Sequence, residues 1–489
     1  LTNIELGAVS RVEVLRGASS SLYGNGSGGV IAFESDLSAP DRLRQELRLT
    51  SGSFGLAKWQ ARTAGRTGRA LGMLSVSRTT VDGFRQYSGA DVRSVNAALN
   101  YLLTPTQTLE LRHHQGGTPF ALNPGALTLA EWEANPDSAA AVNVARGASR
   151  EVGQRQYSLG WRWHGDAGAE ARVVAYHMSR TVDNALAAPV PAPAAFNNGL
   201  FSTIRREVAG ARADLRRRLG AAAESPMLAL GFDAQRSRDV RRNQRATGGR
   251  PTAPADTLLL DQLETTTAIG PFAQLSWQRR PMQRFTVGVR WDQLRFDLED
   301  RFTRDGSDDS GARTMSKLST HVGASWAFSP RLTSYWNVST AFETPTTTEL
   351  AARSPETLGG FNPDLDPQRI LMTEVGMRGA TRRVSYDVVL FSSRTSDAII
   401  QFLETTGRAF FRNAGETRAT GTEVSLSVAA TSWLELRFAH TWSRSRFAEY
   451  RIVRGAVVDT LDGNRLAAIP DHFVRAGLRA QRGALTLDS

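Results

Sequence analysis

Few residues of this chain are placed to do covalent chemistry. Metal-dependent proteolysis, serine hydrolysis and nucleotide binding each need a characteristic string, His-Glu-x-x-His, Gly-x-Ser-x-Gly or Gly-x-x-x-x-Gly-Lys-Ser/Thr. None of these occurs in the 489 residues. His113 and His114 are adjacent, and in an extended chain neighbouring side chains point to opposite faces, so the pair cannot hold one metal ion jointly. The run from Tyr23 to Gly29 has the glycine density of a phosphate loop, but no lysine and no helical pattern follow it. Cysteine is absent, which removes disulfides and thiolate metal sites. No catalytic residue, metal ligand, cofactor or nucleic-acid partner is expected. What stands out is charge. Between 237 and 263, Arg238, Arg241, Arg242, Arg245 and Arg250 have little acid beside them in the sequence. Such a stretch reads as a long loop that attracts an anionic ligand through its positive potential, or as a solvated basic surface lying against anionic lipid. The sequence leaves both open.

The elements that carry these residues show period-two alternation. Tyr157, Leu159, Trp161 and Trp163 share one face. Ala273, Leu275 and Trp277 alternate with Gln274, Ser276 and Gln278, and Phe285, Val287, Val289 and Trp291 with Thr286, Gly288, Arg290 and Asp292. Trp326 closes the run Val322, Ala324, Trp326 and Phe328. Leu371, Thr373, Val375 and Met377 oppose Met372, Glu374, Gly376 and Arg378, and Thr422, Val424, Leu426 and Val428 oppose Glu423, Ser425 and Ser427. Glu374 and Glu423 therefore sit on the polar face of their strands.

A soluble sheet array and a membrane barrel write the same alternation. Two features favour the barrel. Very short turns, as at Ser329–Arg331, exchange with long connections (118–153, 181–204, 237–263, 299–317, 342–368 and 445–469), as in barrels with short turns at one end and long loops at the other. Aromatics also cluster near strand ends, so Tyr157, Trp161, Trp163, Trp277, Trp291 and Trp326 are expected to face lipid. No run of 18 apolar residues occurs and mean hydropathy is -0.31; neither bears on a barrel, because only alternate residues face lipid. The formal charge of +11 agrees with basic surfaces. The chain starts without an initiator Met and stops inside an alternating pattern, which reads as a fragment.

The opening segment carries a more specific signal. Val9-Ser-Arg-Val-Glu-Val-Leu-Arg-Gly-Ala-Ser-Ser-Ser-Leu-Tyr-Gly-Asn-Gly-Ser-Gly-Gly-Val-Ile31 reads as strand, turn, glycine-rich run and strand. It resembles the end of the plug domain of TonB-dependent outer-membrane receptors, of the ferric-siderophore type, where VERVEVLRGP, LYG and GGVIN recur; Ala18 stands where proline is usual. Further blocks follow in the same order. WAFSPRLTSYWNVSTA (326–341) is similar to the family's FSPRLTLYASYSRAF. FETP (342–345) stands for F-R-x-P, NPDLDPQ (362–368) for NPDLKPE, FRNAGETRATGTEVSL (411–426) for YxNAGKxRxxGVELEL, and GNRLAAIPDH (463–472) for GxxLPxxPxH.

The resemblance implies an all-β, transmembrane antiparallel β-barrel, 22-stranded in the family, with a folded plug in its lumen. About 18 strands are counted here from alternation. Residues 1–40 would be the C-terminal part of the plug and 41–489 the barrel, with the earlier plug, the TonB box and the last strands lacking. It implies a receptor that binds a metal chelate, most often a ferric siderophore, and imports it with energy from the TonB–ExbB–ExbD complex. Lipid and lipopolysaccharide would surround it. Cobalamin or another large nutrient is the alternative cargo, and a passive porin-like channel or a soluble multidomain β protein the alternative class. In the family a plug arginine meets barrel glutamates, so Arg16 is expected to pair with Glu374 and Glu423. The ligand-recruiting set is Arg238, Arg241, Arg242 and Arg245.

Overall fold

Alternating apolar and polar residues, rich in β-branched and aromatic side chains, close into one antiparallel ring of 20 strands, one of them the two-residue stub Arg250–Pro251. The computed structural model describes residues 4–16, 20–26, 28–37, 43–187, 199–222, 224–251, 258–280, 282–329, 331–352, 360–403, 409–413, 415–454 and 457–489. The ring runs from Arg44–Gly52 to Leu485–Asp488. The count lies close to that read from alternation; the stub and the four-residue last strand are too short to show a period.

The apolar face points outward. Tyr157, Trp277 and Trp291 are 51%, 43% and 39% exposed on the isolated chain. Trp161 and Trp163 share the face of Tyr157 by their spacing, and Trp326 that of exposed Val322 and Phe328. Near the short-turn end Trp277, Phe285 and Trp326 contact in series, with ring centroids 6.1 and 5.9 Å apart. That is an aromatic girdle, and the expectation for these six residues holds. His113 and His114 diverge as predicted: His113 stacks on outward Tyr157 at 4.6 Å, whereas His114 Nδ1 meets Asn96 at 2.7 Å on the inner face.

The long connections are shorter than the sequence suggests. Met227–Thr247 and Leu258–Arg280 have 21 and 23 residues, about twice the 9–11 that a tilted strand needs to cross a bilayer. Their outer halves stand above the lipid. No apolar face is required there, so the polar stretch 237–247 reads as loop while pairing as strand.

Inside the ring, Val9–Arg16 and Gly29–Ser35 form a separate two-stranded hairpin, with Val12 opposite Phe33 and Val14 opposite Ile31. Ala8 packs at its base against Ala64, Met73 and Ala98 of the inner wall. At the long-loop end a second core gathers Leu294, Phe296, Leu298 and Met315 of the wall with Phe342, Leu350, Phe361 and Leu365. The segment that follows Leu332–Glu343 therefore folds into the mouth and does not wave above it.

Candidate functional site

Ties on several parts of the wall hold the hairpin across the lumen. On one side the buried Glu5 carboxylate accepts from Lys58 Nζ at 2.8 Å, Ser77 Oγ at 2.7 Å and the Gly7 N–H at 2.9 Å. Arg62 meets Asp36 on the same wall at 2.6 Å. On the other side, the amide of Asn25 donates to Thr344 Oγ1 at 2.8 Å and accepts from the Thr344 N–H at 2.9 Å. Gly24 beside it has φ +79°, and a Cβ there would come within 3.0 Å of Arg290 Nη2. Only glycine lets the turn pass at that distance in that conformation.

Arg290 is the centre of the next layer. It is 4% exposed, with Nη1 2.6 Å from Asp233 and Nε 2.9 Å from Asp292. Its guanidinium and that of Arg212 both approach the Phe272 ring, at 5.7 and 4.9 Å from the centroid. Arg212 in turn stands 5.8 Å from the ring of Tyr23 and 3.4 Å from the Leu22 carbonyl. The turn of the hairpin is thus seated on a charged and aromatic layer supplied by four wall strands.

Above this seat lies a chamber of about 770 Å³, bounded by Tyr23 to Gly26 and Gly28, by wall residues including Arg206, Asp239 and Glu264, and by Glu343 to Thr347. Its roof is ordered. Thr346 and Glu349 form a capping box at the start of helix Thr347–Leu350, Thr347 Oγ1 reaches Glu264 at 2.5 Å, and Arg241 holds Glu264 at 2.9 Å and Thr348 at 2.7 Å. A second cavity of about 500 Å³ lies beside the hairpin, between Phe33 and the wall residues His114, Gln154, Gln156 and Arg180. A third concavity, about 1080 Å³, includes Leu74, Leu99, Leu111, Tyr157 and Leu159. These residues belong to the outward face, so lipid and not cargo fills it.

The four arginines of the expected recruiting loop are on strand Met227–Thr247, which corrects their placement. Alternation then splits them. Arg241 and Arg245 fall on the face of Asp239, inward, and Arg238 and Arg242 on the face of exposed Phe232, outward. Nor do they lack acid: Glu264 pairs with Arg241, and Asp261 with Arg242 at 3.0 Å. Those acids come from the neighbouring strand and are remote in sequence. Glu374 and Glu423 stand on the inner face, since Leu371, Val375, Met377 and Leu426 are exposed outside; they face Phe391 and Val389, two residues apart on one intervening strand. The side chain of Arg16 lies outside the described residues, and the backbone there pairs with Gly29. Glu5, Asn25 and Arg290 were missed. Asn25 sits inside a quoted motif, but nothing local marks it as a contact to Thr344, 319 residues away.

A family model described as TonB dependent receptor-like, beta-barrel, matches residues 91–487. The chain belongs to the TonB-dependent receptor family. Solved structures agree on the fold. The ferric citrate transporter in its unliganded form superposes with TM-score 0.81 at 14% identity, covering 99% of this chain and 71% of the other. The ferric yersiniabactin uptake receptor of Yersinia pestis gives 0.75 at 15%, covering 98% and 72%, and a copper transporter 0.77 at 16%, covering 98% and 72%. The ring is then the outer-membrane barrel of a TonB-dependent receptor, and the hairpin lies inside it.

The tie at Glu5 should give the receptor a pH dependence. Burial alone would raise this carboxyl, but the hydrogen bonds from Lys58, Ser77 and Gly7, with the Lys58 charge, hold it below the usual carboxylate range. A depressed carboxyl stabilises fully above the unfolded value of about 4.3 and loses that contribution as pH falls through its folded value. The thermal midpoint of detergent-solubilised receptor should therefore drop more steeply between about pH 6 and pH 3 in the wild type than in Glu5→Gln. Equal slopes would remove Glu5 from the list of plug anchors.

Proposed function

We propose that this receptor binds a metal chelate, a ferric siderophore in the first instance, in the chamber between the plug turn and the folded mouth segment, and passes it to the periplasm with TonB-supplied energy. The observation that carries the reading is the chamber itself. Its volume of about 770 Å³ lies within the roughly 300–1,000 Å³ of pockets that hold organic ligands, and both the plug and the roof border it. Polar groups of both signs suit a chelate with mixed donors. A hairpin tied across the lumen argues against a passive porin-like channel. Cobalamin is the second cargo, since it needs a chamber of the same kind.

The test is uptake of radiolabelled ferric siderophores and of cobalamin by cells whose only relevant receptor is the full-length protein, with and without a functional TonB. Uptake of a ferric chelate that vanishes without TonB supports the reading. TonB-independent leakage of unrelated solutes would favour the porin. We also propose that Arg16 meets Glu374 and Glu423, which support it by standing together on the inner face. Neutralising Arg16 should then cost about 3–5 kcal/mol where the contact is dry and less where water reaches it. A full-length structure with Arg16 farther than about 6 Å from both carboxylates would remove the pairing.

A further inference from the structure

The ladder of the inner wall sets like charges side by side. Gln154, Arg180, Arg206, Asp239 and Glu264 are successive partners across five neighbouring strands. The right half of this row is neutralised: Arg206 Nε lies 2.8 and 3.0 Å from the two oxygens of Asp239, and Arg241 holds Glu264. Arg180 differs. The charged groups that act on it are Arg150 and Arg206, its Nε is sealed without a hydrogen-bond partner, and among the described residues no carboxylate pairs with it. Like charges directly opposite on a sheet are destabilising, and partial burial weakens the relief that water gives. Arg180 also stands at a boundary, since it borders the side cavity while its ladder partner Arg206 borders the upper chamber.

We infer that Arg180, with Arg206 and the Gln154 amide, forms an anion subsite that takes a carboxylate or similar oxyanion where the two cavities meet. The guanidinium presents several donors in a planar fork suited to such a group, and an arriving anion would balance the charge of Arg180, which no carboxylate among the described residues balances. The identity of the anion as part of the cargo rests on the receptor reading; the site itself does not, and its test needs no transport.

The probe is citrate, titrated into the full-length receptor in detergent at low and constant ionic strength, with the thermal midpoint as readout. Citrate should raise the wild-type midpoint. Arg180→Gln should have a midpoint equal to or above the wild type without citrate, because a half-buried, unbalanced charge is gone, and its apparent citrate affinity should fall about tenfold or more. Arg180→Lys should keep part of the response. If Arg180→Gln lowers the midpoint without citrate, a protein carboxylate already holds Arg180 in the whole receptor and the subsite is wrong. A citrate response that is absent in the wild type, or unchanged in Arg180→Gln, overturns it as well. In each of those outcomes the uptake experiment still decides the receptor reading separately.

Discussion

Arg290→Ala is expected to destabilise the receptor by about 3–5 kcal/mol, the usual cost of removing one partner from a buried ionic cluster. Two carboxylates depend on this side chain, Asp292 at 2.9 Å and Asp233 at 2.6 Å. Arg212 also reaches Asp233, at 3.4 Å, so part of that charge stays compensated. Asp292 is 4% exposed and pairs with Arg290, so the substitution leaves a carboxylate that must be wetted or protonated. The seat of the hairpin turn goes with it, because Phe272 loses one of the two guanidiniums that contact its ring. Gly270 shows how closely the site is built: a Cβ there would overlap Arg290 Nη2, so Gly270→Ala should cause a smaller version of the same defect. Thermal unfolding of the detergent-solubilised receptor measures the effect. The double variant Arg290→Ala with Asp292→Ala should recover much of the loss, since the orphaned charge is gone. A single variant within about 1 kcal/mol of wild type would mean that lumenal water already screens the cluster.

The cost comes from geometry that sequence could only half supply. Alternation placed Arg290 and Asp292 opposite Val289 and Trp291, and so on the inner face, because the side-chain period of a strand is fixed by its pleat. It could not say which wall residue lies beside which. Asp233 and Arg290 are 57 residues apart, and their meeting depends on ladder register and on the curvature of the ring. The same limit explains the arginines after Arg236. Within the bilayer, lipid imposes an apolar outer face and the strand announces itself; above the bilayer that constraint lapses, so Arg238 to Arg245 look like loop although they pair along both edges. Their acids, Asp261 and Glu264, arrive from the next strand. Glu374 and Glu423 were legible because both lie within stretches where outward Val375 and Leu426 still mark the phase. The inner hairpin was legible for another reason: glycines at its turn have a local steric cause, as Gly24 shows. The folding of 344–352 and 360–367 into the mouth left no periodic trace at all, since a four-residue helix is too short to display one.

Leu350→Ala tests that mouth segment. Leu350 is 0% exposed, in the cluster with Phe342, Phe361 and Leu365, and leucine-to-alanine changes in such surroundings cost about 2.7–5 kcal/mol. The helix Thr347–Leu350 cannot stand alone, because nucleating so short a helix is unfavourable. Its capping box contributes only about 1 kcal/mol, and the hydrogen bonds to Glu264 and Asn25 require the segment to be docked already. Burial of Leu350 and Leu365 is therefore what docks it. Losing about 3 kcal/mol of that term should speed amide hydrogen exchange over 347–352 and 360–366 by roughly 100-fold. The barrel's own melting should stay unchanged, since its ladder does not pass through the segment. Cargo affinity should fall with it, because Thr344 to Thr347 border the chamber. Thr346→Ala should give the same pattern at a smaller amplitude. Exchange that stays at the wild-type rate in Leu350→Ala would show that the hydrogen bonds to Glu264 and Asn25 dock the segment without the leucine, and the hydrophobic account of the roof would have to be abandoned.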